Sequence, residues 1–265
     1  MIEATREAVS LWIGECQAPN TAPELRARRF EYTSRGDRVA GVLLLPPTGD
    51  GPFPLVLLQH GAGGSKDADY LGPVREPWAR RGLAVASIDF PLHGERASAK
   101  LGELLLATLV SPGRPSEHAS ALFEEFARQA ATDLARAVDA LVSLPEIDAA
   151  RVGYAAFSLG AIVGSLYVPY DPRVRAAALA VGGAGIGPRA CDPAAHIGGF
   201  APRPLLFVNA ERDQRIPRAA AEALHAAARD PKEIVWFDAG HADLPGRALK
   251  KMWSFLAQHL DTVAS

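Results

Sequence analysis

Residues 151–164 read RVGYAAFSLGAIVG, an apolar run followed by a serine between small residues and then a second apolar run with helical spacing. Continuous hydrophobicity is typical of a strand buried on both faces, so residues 151–157 predict a strand that ends at about Phe157. The residues from Leu159 onward predict a helix. A serine at such a strand–turn–helix junction occupies the position of the nucleophile in the G-x-S-x-G elbow motif.

The elbow brings its strand and helix close together, so the residues two before and two after the serine must be small. Gly160 meets this requirement, and Ala156 stands where the motif has its first glycine, which adds one methyl group. In the alternative interpretation Ser158 is an ordinary N-cap of the helix that begins at Leu159. These residues alone leave both interpretations open.

Other apolar runs along the chain are short, rich in Val, Leu and Ile, and bounded by Gly or Pro. They lie at 38–46, 54–60, 83–90, 174–181, 204–210 and 233–239. From residue 54 onward, segments with helical spacing separate them, which predicts βαβ units in a mostly parallel sheet with helices on both faces. Residues 29–35 and 38–46 predict an antiparallel hairpin at the sheet edge. The expected fold class is therefore α/β.

Length and composition favour a single domain over residues 1–265, because 48% of the residues are hydrophobic and 22% are charged, with no dividing linker. Residues 1–25 begin with the spacing of an amphipathic helix and predict a helical N-terminal extension. Residues 91–118 and 182–203 are irregular and rich in Gly and Pro. Long loops beside strand ends are usually functional, so we expect both segments to form pocket walls or a small lid-like insertion.

The charge pattern and the N-terminus limit the partners. A formal net charge of -2 offers no electrostatic footprint for nucleic acid. No window approaches about 18 consecutive apolar residues, and the N-terminus lacks a signal peptide's apolar core, so we expect no membrane partner and a cytoplasmic protein. The two cysteines, Cys16 and Cys191, lie far apart and give little support to a disulfide or a zinc site.

A glycine-rich segment upstream supplies candidate oxyanion donors. The strand predicted at 54–60 runs into Gly61-Ala62-Gly63-Gly64, a backbone free to aim its amides into a cleft. If Ser158 is a nucleophile, the N–H groups of Ala62 and Leu159 would bind the oxyanion. The alternatives are a plain glycine-rich turn and a phosphate-binding loop. Neither G-x-G-x-x-G nor G-x-x-x-x-G-K-[ST] is present, which disfavours phosphate.

A serine nucleophile needs a general base and an acid that orients the base. Asp213 lies in the loop after the strand at 204–210, and His241 in the loop after the next strand, giving the chain order Ser, Asp, His. Three loops after three successive strands thus each supply the required residue type. Glu211 is the alternative acid. The other histidines are weaker candidates for the base, either in helical patterns or at loop positions: His60, His93, His118, His196, His225 and His259.

From about residue 30 onward the chain resembles an α/β-hydrolase of the dienelactone-hydrolase-like group, close to small bacterial carboxylesterases. The matching segments are HGAGG (60–64), DFPLHGER (89–96), AFSLG (156–160), RPLLFVNAERDQRIP (203–217) and AGHAD (239–243). The resemblance implies an eight-stranded, mostly parallel sheet, no cofactor, and Ser158, His241 and Asp213 as nucleophile, base and acid. Dienelactone hydrolases proper have a cysteine where this chain has Ser158, so their lactone substrate does not carry over.

We therefore expect a serine carboxylesterase that acts on small to medium neutral esters through an acyl-enzyme and has a small-molecule ester as its partner. A thioesterase or peptidase would share the catalytic residues. The expectation from another class is a non-catalytic binding protein of the same fold, which would follow if the loops failed to bring the three side chains together. The sequence is compatible with a monomer or a homodimer.

Overall fold

The computed structural model describes residues 9–16, 22, 24–110 and 116–262 of the chain. They form an α/β structure around a nine-stranded sheet with the strand order β1-β2-β3-β5-β4-β6-β7-β8-β9. The strands are β1 Trp12–Glu15, β2 Arg26–Ser34, β3 Asp37–Leu45, β4 Phe53–Gln59, β5 Ala84–Ile88, β6 Ile147–Phe157, β7 Val174–Ala180, β8 Leu205–Ala210 and β9 Lys232–Phe237. Strands β1 to β3 and the β3–β5 pair are antiparallel, whereas β5, β4 and β6 to β9 run parallel.

Helices cover both faces of the sheet. In the described part of the chain they are α1 Gly72–Ala79, α2 Ala99–Val110, α3 Glu117–Leu141, α4 Leu159–Tyr167, α5 Pro193–His196, α6 Arg218–Ala227 and α7 Gly246–His259. The side chains of β4 alternate between two apolar clusters. Leu55 and Leu57 face the cluster that includes α3 and α4, while Val56 and Leu58 face the cluster that includes α1 and α7. This two-sided burial is why the strand sequences are continuously apolar.

The strand order places two loops side by side at the centre of the sheet. β4 pairs in parallel with β5 on one side and with β6 on the other, so the chain changes direction across the sheet at this point. In open parallel sheets, ligands bind in the crevice beyond the carboxyl ends of strands at such a switch point. The loops after β4 and β6 both open there, and they contain the glycine-rich segment and Ser158.

The N-terminal segment differs from the expected helical extension. Trp12–Glu15 form strand β1, paired antiparallel with β2 so that Trp12 lies opposite Glu31, and this is the ninth strand where eight were expected. The outer edge of β2 supplies unpaired backbone groups that a strand satisfies and a helix does not, and Gly14 is a poor helix former. The rest of the predicted extension lies mainly outside the described residues.

Among the described residues, no helix is both long and apolar enough to cross a bilayer.

Candidate active site

Ser158 lies in the tight turn between β6 and α4 with backbone angles φ 52° and ψ −114°. A non-glycine residue at positive φ is uncommon, and such strain persists only where the surrounding structure holds it. Here the Ser158 N–H donates to the Ala180 carbonyl on β7 at 2.9 Å, and the Ser158 carbonyl accepts from Ile162 N at 3.0 Å in the first turn of α4. Both sides of the turn are thus anchored.

Gly160 permits the close approach of strand and helix. A methyl group on it would lie 2.7 Å from the His60 carbonyl oxygen and 3.1 Å from the Ala156 Cβ atom. The single extra methyl of Ala156 therefore fits because Gly160 has none. Ala156 itself is fully buried.

The side chain of Ser158 points to a histidine and makes no capping hydrogen bond to α4. Its Oγ atom lies 2.8 Å from His241 Nε2, and His241 Nδ1 lies 2.8 Å and 2.9 Å from the two carboxylate oxygens of Asp213. A carboxylate can only accept, so Nδ1 carries the imidazole proton and Nε2 is free to accept from the serine hydroxyl. The structure thus brings the three sequence-predicted side chains into one hydrogen-bonded chain.

Asp213 is held in place by its own loop. Its Oδ1 atom accepts from the backbone N–H groups of Arg215 at 2.8 Å and Ile216 at 2.9 Å. The carboxylate is almost completely buried with the His241 ring, with side-chain exposures of 6% and 9%. Glu211, the alternative acid, is exposed at the end of β8, and its backbone N–H pairs with Phe237.

The remaining histidines lie elsewhere. His225 and His259 pack edge-on against phenylalanines of the core at ring-centroid distances of 5.6 Å and 4.6 Å. His196 hydrogen-bonds Tyr170, and His118 is exposed in the first turn of α3. His60 and His93 are buried under the glycine-rich loop and the segment after β5.

His60 holds the peptide plane that carries the Ala62 amide. Its Nδ1 atom lies 2.8 Å from the Gly61 carbonyl oxygen, and its Nε2 atom accepts from Phe90 N at 3.3 Å. The Gly61 carbonyl and the Ala62 N–H belong to the same trans peptide unit and point in opposite directions. The hydrogen bond from the imidazole to the Gly61 carbonyl therefore fixes the direction of the Ala62 N–H on the other side of the peptide plane. Leu159, as first residue of α4, has an amide without an acceptor inside its helix.

Burial keeps His60 neutral. The ring is fully buried, and loss of hydration lowers its pKa to about 4, although the hydrogen bond to Gly61 acts in the opposite direction. A neutral ring protonated on Nδ1 is the form that both of its hydrogen bonds require.

A buried ion cluster connects the glycine-rich loop to the segment after β5. The Lys66 ammonium lies 3.1 Å from Asp89 Oδ2 and 2.7 Å from Glu95 Oε1, and the Lys66 and Glu95 backbone N–H groups both donate to Asp89. A methyl group on Gly94 would lie 2.2 Å from the Asp89 carboxylate, so only glycine fits there. The motif DFPLHGER thus fixes the loop that carries Ala62.

The cavity beside Ser158 has a volume of ≈ 200 Å³. It is lined by Gly61, Ala62, Tyr70, Val74, Phe157, Ser158, Val181, Arg215, His241, Ala242, Leu244 and Leu249. None of the described residues of 91–118 or 182–203 is in this lining, and the expectation that these segments form pocket walls or a lid stays a prediction. Part of the wall comes from Val74 in α1 and from Leu244 and Leu249 after β9, which the sequence pattern did not single out.

The segment 182–203 lies against a different cavity. Its Ala190, Cys191 and His196 line a second cavity of ≈ 210 Å³ together with residues of α3 and α4. Segment 91–118 contains α2, which packs on α3 and leaves Leu101 and Leu104 exposed. Among the described residues, no group of three His, Cys, Asp or Glu side chains is arranged to hold a metal ion.

Comparisons with known proteins agree with this architecture. A model of the dienelactone hydrolase family matches residues 41–246. No curated protein sequence matches the chain. At the identities found among solved structures, the likeness concerns the fold, which is that of the α/β-hydrolases.

Three similar structures illustrate this likeness. A PEG-bound cold-adapted esterase from an Arctic intertidal metagenomic library is 20% identical with a TM-score of 0.73, covering 93% of this chain and 99% of its own. An acetyl xylan esterase from Paenibacillus sp. R4 is 18% identical with a TM-score of 0.76, covering 96% and 90%. Acetyl xylan esterase 1 from Thermoanaerobacterium sp. JW/SL YS485 is 17% identical with a TM-score of 0.72, covering 94% and 87%.

Proposed function

The chain belongs to the dienelactone hydrolase family, and we propose that it is a serine carboxylesterase with Ser158, His241 and Asp213 as its catalytic triad. The observation that carries the proposal is the continuous hydrogen-bonded chain from Ser158 Oγ through His241 to Asp213, at 2.8 Å for each link. The Ser158–His241 distance lies within the range that proton transfer between a nucleophile and its base requires.

In the proposed acylation step, Ser158 Oγ attacks the ester carbonyl carbon while His241 Nε2 takes the hydroxyl proton. The resulting imidazolium is stabilised by the Asp213 carboxylate, which stays ionised. Collapse of the tetrahedral intermediate breaks the bond to the alcohol, and the imidazolium gives its proton to the leaving oxygen. Water then enters and repeats the cycle on the acyl-enzyme, releasing the acid and restoring Ser158.

The Ala62 and Leu159 amides are the proposed oxyanion donors. Each such donor is worth about 3 to 4 kcal/mol of transition-state stabilisation in enzymes where one has been removed. The hydrogen bond from His60 to the Gly61 carbonyl supports the proposal, because it orients the Ala62 N–H. The position of Leu159 at the positive end of α4 supports it as well.

We propose small to medium neutral esters as substrates. The walls beside Ser158 are mainly apolar, with Val74, Leu244 and Leu249 among them. Arg215 is a single cation in the lining, not a cluster of charges that would hold an ionic acyl group. An ester that ends in a carboxylate is therefore the informative comparison, because a preference for it would assign Arg215 a role in binding.

Two alternatives remain distinct from this proposal. A thioesterase or peptidase would use the same three side chains. The family name and the names of the three structural neighbours are those of ester-cleaving enzymes, which supports an ester. A binding protein of the same fold would show no turnover.

A substrate panel with an active-site label tests the proposal. Purified protein should hydrolyse p-nitrophenyl esters of short acyl chains faster than matched thioesters or peptides, and a fluorophosphonate should modify Ser158 alone. Ser143→Ala, which changes an exposed serine on the turn after α3, is the control and should label like the unmodified chain. Labelling at another residue, or none at all, would favour the binding-protein alternative.

A further inference from the structure

Tyr70 lies in the active-site cavity and has no part in the triad. It stands in the turn between the glycine-rich loop and α1, and its ring shares the cavity with Ser158, His241 and Ala62. Its hydroxyl oxygen accepts a hydrogen bond from the Gly61 backbone N–H at 2.7 Å. The hydroxyl is therefore attached to the loop that presents the Ala62 amide.

The tyrosine hydroxyl and the serine approach the same glycine. A methyl group built on Gly61 would lie 3.2 Å from Ser158 Cβ and 3.7 Å from the Tyr70 hydroxyl oxygen. Both side chains thus approach Gly61 and line the same cavity. An atom bonded to Ser158 Oγ on this side of the cavity comes within reach of the phenol.

The phenol has a proton left to donate. Because its oxygen already accepts from Gly61, the O–H bond points away from that amide, and no acceptor for it occurs among the residues that the structure describes. The ring packs edge-on against Phe157 at a ring-centroid distance of 6.1 Å. A phenol that accepts a backbone hydrogen bond also becomes a stronger donor.

We propose that Tyr70 is a catalytic residue whose hydroxyl donates a third hydrogen bond to the oxyanion, beside the Ala62 and Leu159 amides. This inference rests on the proposed function of the site. When the bond from Ser158 Oγ to the carbonyl carbon forms, the carbonyl π electrons move onto oxygen, and the Tyr70 O–H contacts that oxygen while keeping its proton. The bond strengthens as the negative charge develops, so it acts on the transition state more than on the bound ester.

The protonation state of the phenol favours this role. Loss of hydration raises the pKa of Tyr70, with the Gly61 hydrogen bond partly opposing it. The phenol therefore stays protonated over the pH range in which the enzyme would work, and it remains a donor.

The first test is Tyr70→Phe, assayed with p-nitrophenyl butyrate. We expect kcat to fall about 100-fold with little change in KM, as for the loss of one oxyanion donor elsewhere. Ser158 adds to the carbonyl of a trifluoromethyl ketone and gives a charged hemiketal oxygen. The inhibition constant of such a ketone should rise by a similar factor. Tyr170→Phe is the matched control, because Tyr70 and Tyr170 are both 46% exposed and Tyr170 also loses a hydrogen bond, but at the second cavity.

A second variant separates donation from a structural role of the Gly61 hydrogen bond. Replacing Tyr70 by 3,5-difluorotyrosine lowers the phenol pKa into the assay range. A phenolate accepts from Gly61 better than a phenol does, yet it has no proton for the oxyanion. We therefore expect kcat of this variant to fall with rising pH along an alkaline limb that the unmodified chain lacks.

The two Tyr70 variants decide the inference. Tyr70→Phe with undiminished kcat, or a difluorotyrosine variant whose kcat follows the pH profile of the unmodified chain, would overturn it. If Tyr70→Phe does not fold, the difluorotyrosine profile alone gives the answer. Ser158→Ala, assayed in parallel, identifies the other kind of failure: full activity in that variant would refute the proposed function itself, whatever Tyr70 does.

Discussion

At the residue scale, the strained serine depends on a packing contact that leaves room for one methyl group and not for two. Ala156 supplies that methyl from the strand, and Gly160 faces it from the helix. The pattern A-x-S-x-G therefore requires the second small residue to be glycine. This explains why a chain can depart from G-x-S-x-G at its first position and keep the geometry of the turn.

The variants Gly160→Ala and Ala156→Gly should differ sharply. Gly160→Ala drives a methyl into the His60 carbonyl, so we expect a loss of about 1 to 3 kcal/mol in the free energy of unfolding and a large fall in kcat. Ala156→Gly should cost about 1 kcal/mol, from strand propensity, and leave kcat unchanged. Urea denaturation and ester hydrolysis measure the two quantities. Equal effects of both changes would mean that the turn does not depend on this contact.

His60 should make the protein less stable in acid. The unfolded chain protonates this imidazole near its ordinary pKa of 6.5, whereas the buried ring does so only near 4. Between these values the unfolded state binds more protons, so the free energy of unfolding falls as the pH falls, by about 3 kcal/mol in total. The loss begins below pH 6.5 and is complete near pH 4.

Urea denaturation at several pH values measures this slope. His60→Asn removes the titrating group and should flatten the dependence, although its stability at pH 7 will be lower. His118→Asn, at an exposed position, is the control and should leave the dependence of stability on pH unchanged. An unaltered slope in His60→Asn would show that another group causes the acid sensitivity.

The residues that the sequence did not predict are those in loops whose pattern assigns them no partner. Ser158, Asp213 and His241 each follow a recognisable strand, so their meeting at one sheet edge could be expected. Tyr70 and Lys66 follow no motif that assigns them a partner, because their contacts are made by loops folding across the site. His60 is one of the weaker candidates for the base in the sequence, and in the structure its ring hydrogen-bonds the Gly61 carbonyl instead.

At the element scale, the loop after β4 and the segment after β5 are fastened together by buried charges. Lys66 is 3% exposed and Asp89 is fully buried, so their pairing replaces lost hydration on both sides. The contact holds the two loops that enclose His60. Its function is therefore to position the candidate oxyanion loop and not to contact substrate.

Lys66→Met should leave the buried Asp89 carboxylate without its ammonium partner. Breaking one side of a buried ion pair costs about 3 to 5 kcal/mol of unfolding free energy. Lys251→Met is the control, since its partner Glu233 lies on the surface and such pairs contribute about 1 kcal/mol or less. Urea denaturation compares the two, and kcat of the Lys66 variant should also fall. Similar small losses in both variants would contradict the structural role of the buried cluster.

The strands were predictable because two-sided burial forces continuous apolar runs, and all seven such runs, together with the first hairpin strand, correspond to strands of the sheet. β1 was missed because its four residues gain their stability from the edge of β2 and not from their own pattern. The walls of the cavity beside Ser158 could not be predicted for a related reason: irregular sequence reveals a loop but not which way it folds.

At the scale of the whole molecule, strand β1 covers one edge of the sheet, and that edge would be open to pairing with other chains without it. β1 covers the backbone groups of β2 at the side far from Ser158. The α/β-hydrolase fold and the dienelactone-hydrolase-like resemblance predicted from the sequence are confirmed by the family match and the structural neighbours. The ninth strand is the feature that the predicted sheet lacked.

Deleting residues 1–16 should uncover this edge. Exposed strand edges pair with other chains, so we expect the shortened protein to associate more strongly with rising concentration, while kcat stays unchanged because the active site lies at the centre of the sheet. Light scattering measures the association. A chain that starts at residue 9 and keeps β1 is the control, and equal association in both would mean that β1 does not protect the edge.

The most direct test of the whole account is the rate of p-nitrophenyl butyrate hydrolysis by Ser158→Ala relative to the unmodified chain. If Ser158 is the nucleophile that His241 and Asp213 activate, kcat should fall by at least about 10⁴-fold, with the fold and stability retained. A Ser158→Ala variant that hydrolyses the ester at the unmodified rate would contradict the account.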